Sequence, residues 1–568
     1  MNNGLLILSA WYLVIPLSIL GYGFFFQKII FKNNLNLNIG YLGIIGIFFL
    51  IIYSYLSNLF VPHSKIHNFF VVIVGITFFI RYYYFYKEIK KEEIKLFFLI
   101  STIIFISIFI FKNHDDFEYY HFPYTYLLTQ HDLIIGLGNF GHGFRTQSSI
   151  FYLNSLFYLP FIDFYLFNLG AVLILIFTNL ILINYIFENS NSRNINLNTN
   201  YLRYLSLSAV IFINIFFYRI SEHGTDRSSQ ILIFLLFIEI IYFLNLKSLN
   251  EYKLSKIYLL LGIIVSLKAF YILYLITFIL LFFHVFKKSK KFLKTLKFFI
   301  DNKVFLFFTS LISLILITNF FNTGCFVYPI YFTCFENFSW SIPTEQVKQM
   351  NNWYELWSKA GAGPDFRISN QHNYIENFSW VNNWFKIYFF TKVSDLLLGL
   401  TFLSIVFLFV FYKKKEKKIK NNIYFFKSVY ALVIVLTIEW FVGHPALRYG
   451  GFVLISLLFF LPLSFKLNEN HILLKVFLKK ALILTCIAAF IFFSRNILRI
   501  HKEYERYNYN LVKNIFYQVD EKHFRIQNKL EMMLSKNSFC EENKLQDECL
   551  GDLNKISKKF GKMIIENK

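Results

Sequence analysis

A bilayer crossing needs ~20 largely apolar residues, and stretches on that scale recur along almost the whole chain, from Leu5–Phe26 and Ile39–Phe60 through Lys95–Phe111 and Ser229–Phe243 to Ala481–Phe493. They are too frequent for one globular core. They are continuously apolar, without the in-out alternation of barrel strands, so helices are the expected spanning form. The expected fold class is therefore an all-α polytopic membrane protein with roughly 12–14 transmembrane helices, interfacial helices and a large extracytoplasmic loop. Composition agrees: of 568 residues 56% are hydrophobic and only 16% charged, where a soluble domain carries about a quarter charged.

The net charge of +23 would suggest nucleic acid in a soluble protein. Here the basic residues cluster between apolar runs, at Lys87–Lys95, Lys247–Lys256, Lys287–Lys297 and Lys413–Lys420. That is the positive-inside pattern; it assigns these loops to the cytoplasm and gives no reason to expect a nucleic-acid partner. Leu5–Phe26 lacks a basic leader and a small-residue cleavage site, and reads as an uncleaved first span. Threading the chain on these markers places both termini outside. Ile257–Phe283 is about one span long yet has basic loops on both sides, so two short helices meeting near Lys268 satisfy the charge rule where one helix would not.

Three outer segments follow from this threading: Asn113–Phe161, Tyr218–Arg227 and Asn322–Ser394. A last span over 466–494 leads to a polar outer tail, 495–568. Four of five cysteines fall outside, as two pairs nine residues apart, Cys325 with Cys334 and Cys540 with Cys549. Disulfides persist outside the cytosol, and neither pair has the spacing or the neighbouring His of a zinc site, so two local bridges are expected. Cys486 lies within a span and reads as inert packing.

The densest polar cluster follows the fourth span: His114, Asp115, Asp116, Glu118, Tyr119, Tyr120 and His121. Three carboxylates within four residues repel one another unless a cation, a proton or a substrate hydroxyl relieves them. The second outer segment carries Glu222 and Asp226 on the same face. The run Gly136–Gly143 reads as a flexible turn, with His142 and Arg145 as ligand contacts. Lys268 lies at the hairpin tip, where it could meet a lipid phosphate or merely snorkel to the interface. His444, Arg448 and Tyr449 lie in a tight outer loop. Trp340, Trp353, Trp357, Trp380 and Trp384 make the largest loop a cover for a glycan or an aromatic belt on the bilayer.

Asp116-Phe117-Glu118-Tyr119-Tyr120 resembles the Asp-Glu-x-Tyr-Tyr motif of the GT-C superfamily of polyprenyl-phosphate-dependent glycosyltransferases. Phe117 displaces the second acid, and Asp115 restores an adjacent acidic pair. Arg448-Tyr449-Gly450-Gly451 is similar to the Arg-Tyr-x-x-Pro element found late in such enzymes, with Gly450 and Gly451 in place of the expected residues. The resemblance implies a catalytic core over 95–465 and leaves 1–94 as additional N-terminal spans. It implies Asp116 or Asp115 as general base, Asp116 having the better alignment, and Lys268 and Arg448 as clamps on the phosphate of a polyprenyl-phosphate sugar donor. Glu118, His121, His142, Arg145, Glu222, Asp226, His444 and Tyr449 would contact donor or acceptor. Asp116, Glu222 and Asp226 would hold a divalent cation (Mg or Mn) if one is used. The acceptor would be a glycan, lipid or protein of the envelope, and the setting a bacterial inner membrane with the site on the extracytoplasmic side. Two rival readings are an envelope polysaccharide polymerase or ligase, which would lean on outer Arg and His, and a transporter or flippase, which would place charges mid-membrane.

Overall fold

A computed structural model describes residues 3–31, 38–85, 90–187, 200–222, 224–363, 368, 370–412, 423–469, 472–543, 547–551, 553–559 and 561–567. The basic loop Lys413–Lys420 and residues 87–89 of the first basic loop lie outside these residues. Chain order runs α1 (Asn3–Phe31), α2 (Ile39–Asn58), α3 (Lys65–Ile80), α4 (Lys91–Phe105), α5 (Phe122–Gln130), α6 (Leu169–Phe187), α7 (Asn200–Phe216), α8 (Gly224–Leu244) and α9 (Glu251–Leu267). It continues through α10 (Thr277–Ser289), α11 (Lys303–Thr323), α12 (Thr344–Lys359), α13 (Ser394–Phe411), α14 (Ile423–Gly443), α15 (Gly451–Asn468), α16 (Leu474–Tyr507) and α17 (Glu521–Glu542). Eleven helices among the described residues are long and apolar enough to cross a membrane. The protein is an all-α polytopic membrane protein.

The helices divide by what their side chains meet. α2, α6 and α8 are buried on nearly every face, whereas α3, α11, α13, α14 and α16 turn much of their apolar surface outward. α8 packs against α6, α9 and α15, and α1 lies between α2 and α3. The α1–α2 contact needs small residues, as tight helix pairs in membranes do. A Cβ at Gly23 would lie 2.0 Å from the Leu42 carbonyl oxygen, and one at Gly46 2.1 Å from that of Ile19.

The expected hairpin is present. Lys268 adopts an extended backbone (φ −161°, ψ 132°) that ends α9, and Ala269–Ile276 turns back into α10 as a 3-10 segment. The return is antiparallel: Tyr258 packs 5.3 Å from Phe278, and Lys288 Nζ donates to the Leu246 carbonyl at 2.6 Å, just before α9. Both disulfides are formed, Cys325–Cys334 and Cys540–Cys549.

Two segments extend the expected outline, and one expectation, the packing of Cys486, needs correction. The helix that carries the last span continues past 494: α16 runs on to Tyr507, and its final turns pack polar groups against the second outer segment. The polar region 495–568 carries structure of its own. α17 and the hairpin β2 (Ile556–Lys559) and β3 (Lys562–Ile565) fold back onto the first outer segment, where β3 pairs in parallel with the short strand β1 (Ile134–Ile135). Cys486 is exposed on the outward face of α16 rather than packed inside.

Candidate functional site

Four charged side chains from distant parts of the chain meet on the face that carries both disulfides. Arg448 is the hub. Its Nη2 donates to Asp116 Oδ2 at 2.9 Å and its Nε to Asp226 Oδ2 at 2.9 Å. Lys268 Nζ donates to the other carboxylate oxygen of Asp226. Asp116 is also 3.5 Å from His114 Nδ1.

Local structure explains how each group arrives. Asp116 ends the loop after α4 and starts the helical turn Phe117–His121, whose ring Phe117 is buried against Phe122 and Tyr517. Asp226 lies in the first turn of α8. Lys268 is presented by the break between α9 and α10. Arg448 sits in the turn between α14 and α15, which closes because Gly450 takes φ +103° and because Gly451 approaches Trp440 so closely that a Cβ would lie 2.4 Å from its ring. Gln230, one turn beyond Asp226, fixes that loop: its Nε2 donates to the Arg448 carbonyl at 3.1 Å and its Oε1 accepts from Val453 N at 3.3 Å. Trp384 Nε1 donates to the Pro445 carbonyl at 2.9 Å, and Leu447 N to Tyr388 Oη at 2.8 Å.

Aromatic rings close the cluster. Lys268 lies 4.5 Å from the centre of the Tyr449 ring, and the Arg448 guanidinium 5.4 Å from that of Trp357 on α12. Such faces attract cations. Of the loop tryptophans, Trp357 thus lies beside the cluster, Trp380 and Trp384 are buried, and Trp353 is exposed.

Electrostatics fix the resting charges. Burial pushes the Asp116 carboxyl up, but Arg448, His121 and His114 outweigh it and hold it below its usual value. Burial works against the Arg448 charge, yet Asp226, Tyr449 and Asp116 keep it firmly protonated. Burial lowers Lys268 despite Asp226. Burial also drops His121 and His444 to about 4 and lifts Tyr449 to about 12, so all three are neutral at pH 7. His121 Nε2 and His444 Nδ1 are buried without a hydrogen-bond partner among the described residues.

The other expected residues are placed differently. Asp115 is exposed and Glu118 half-buried, both outside the ion-pair cluster. Glu222 is four residues from Asp226 but turns away: Arg219 grips it through Nε at 2.8 Å and through Nη2, and Arg499 of α16 stands 3.9 Å from it. Its carboxylate thus ties α16 to the second outer segment, and it does not join Asp116 and Asp226 as a cation ligand. Those two already share Arg448, and among the described residues no group of three or more His, Cys, Asp and Glu side chains is arranged to hold a metal ion.

Arg145 binds the Gly138 carbonyl at 3.2 Å, Tyr328 Oη at 3.4 Å and Gln346 Oε1 at 3.3 Å, so it fastens the glycine run to the α12 region. His142 is exposed, while Gly143 abuts Tyr120, whose Cβ would be 2.5 Å from an added Cβ. Sequence reasoning missed Gln230, Tyr388 and the role of Trp357. Gln230 left a trace, as a polar residue where an apolar run begins.

A family model described as "Domain of unknown function (DUF8201)" matches residues 5–455, and the chain belongs to that family. The matched region takes in α1–α3 and every residue of the four-charge cluster. No curated protein and no solved structure matches the chain.

Proposed function

Membership in a family of unknown function brings no activity with it, and we propose from the site itself that the protein is a GT-C-like membrane glycosyltransferase. In this reading it moves a sugar from a polyprenyl-phosphate donor to an envelope acceptor on the extracytoplasmic face. The observation that carries the reading is Arg448 shared between Asp116 and Asp226, with Lys268 on the far oxygen of Asp226. Two carboxylates and two cations at a helix-end cluster supply both needs of such a transfer. α4, α7 and α9, shorter or more polar than the eleven long apolar helices, complete fourteen crossings in this reading.

The donor already carries an activated anomeric carbon and a phosphate leaving group. Asp116 takes the proton of the acceptor hydroxyl as its oxygen bonds to that carbon. The bond from carbon to phosphate oxygen breaks, and the lipid phosphate leaves with its new charge facing Lys268 and Arg448. The resting ion pair makes Asp116 a weak base. A donor phosphate on Arg448 competes for the same guanidinium, and as the pair loosens the proton affinity of Asp116 rises. Donor binding thereby switches on the base. Charge compensation in this reading comes from Arg448 and Lys268.

The test uses the full protein in proteoliposomes with a polyprenyl-phosphate hexose. Asp116→Asn should cut turnover by ~10²–10⁴-fold while donor binding persists. Lys268→Ala should weaken donor binding and turnover together, because a phosphate clamp acts in ground and transition states alike. Full sugar transfer by Asp116→Asn would end this reading.

A further inference from the structure

The segment joining α11 to α12 is unusual for a loop. Between Lys303 and Glu345 the only charged residue is Glu336, which is exposed and accepts a hydrogen bond from Thr344 N. The Cys325–Cys334 bridge closes the loop into a finger. Its rings face out rather than in: Phe332 is 78% exposed, Tyr331 49% and Phe335 48%. In water such a surface would be a liability.

Its placement says what covers it. α11 has 21 residues, which at ~1.5 Å each span ~30 Å, the thickness of the hydrocarbon core. The finger therefore begins at headgroup depth. The outward stripe of α11 follows helical spacing through Leu306, Ser313 and Ile317, all exposed, and reaches half-buried Phe320 at the top. Phe320 packs against Phe326 at 5.3 Å and Phe338 at 5.2 Å. The lipid-facing stripe thus continues without a break into the finger.

We propose that this aromatic finger, residues 325–338, inserts among the lipid headgroups of the leaflet on the site's face. Aromatic side chains favour that depth. The base of the finger is rigid: Cys325 and Tyr328 pack with Ile342, Val347 and Met350 into one small core with α12. Insertion fixes the height of α12, and with it Trp357, relative to the bilayer. The near absence of charge makes binding indifferent to anionic lipid and to salt.

Fluorescence tests this in full-length protein held in phosphatidylcholine nanodiscs. Phe332→Trp adds one reporter, read as the difference from the unsubstituted protein, and Tyr331→Trp is the second variant if the first is unstable. With brominated acyl chains the added emission should fall by about half or more, and iodide in the buffer should leave it unchanged. Emission quenched by iodide but not by bromine would place the finger in water and overturn the proposal. So would emission insensitive to both quenchers that changes when a disc holds two copies, since a second chain would then be the cover.

Discussion

Asp116 and Arg448 lie 332 residues apart, so their pairing depends on the whole bundle, and a double-mutant cycle measures it without assuming any activity. The variants are Asp116→Asn, Arg448→Met and the two combined. Two unit charges ~4 Å apart interact by ~4 kcal/mol at an effective dielectric near 20. Asp116 and Arg448 are 27% and 30% exposed, and Arg448 divides its donors between two carboxylates. Solvent screening and that sharing reduce the expected coupling to about 1–2 kcal/mol. The readout is denaturant unfolding in bicelles, followed by tryptophan fluorescence. The pH dependence has a definite sign. The folded-state pKa of Asp116 is depressed, so its contribution is full above the unfolded value of about 4 and is lost as pH falls through the folded value. The coupling should therefore be constant near neutrality and shrink in acid. Additivity within ~0.3 kcal/mol at pH 7 would refute the pairing.

The remaining predictions concern the supports of the site. Glu222→Gln should cost on the order of 1–2 kcal/mol of stability, because Arg219 loses the charge on its hydrogen-bond partner while Arg499 keeps Glu503 at 3.2 Å; folded protein carrying it should keep donor binding and transfer, measured in the proteoliposome assay. Gly451→Ala should lower the thermal midpoint by the equivalent of ~1–3 kcal/mol, since the added methyl meets the Trp440 ring. Mass spectrometry of non-reduced digests should recover Cys325 linked to Cys334 and Cys540 to Cys549, with Cys486 as the alkylated free thiol.

How much the sequence revealed follows from the range of the interactions involved. The crossings were legible because an apolar run is a local property. The hairpin at Lys268 was legible too, since basic clusters on both sides of one short run leave few ways to thread it. Asp226 and Glu222 were not separable. They are four residues apart, and what divides them is their partners: Arg219 grips Glu222 and Arg499 stands farther off, while Arg448 and Lys268 hold Asp226. Arg499 lies on turns of α16 beyond 494, where a polar continuation carries no apolar signal, so this more distant partner of Glu222 was not legible. The C-terminal unit was hidden for a related reason. Its docking strand β1 is two residues long and opens the glycine run, where a turn is the natural reading. Arg525 reaching the Tyr119 carbonyl and Lys562 reaching Asp132 complete that contact across more than 400 residues of chain. The acidic motif is thus held from below by the bundle and from the side by a unit that begins after the last crossing. The motif could be read as four or five letters, but the geometry that pairs Asp116 rather than Asp115 with Arg448 is set by packing that spans the entire molecule.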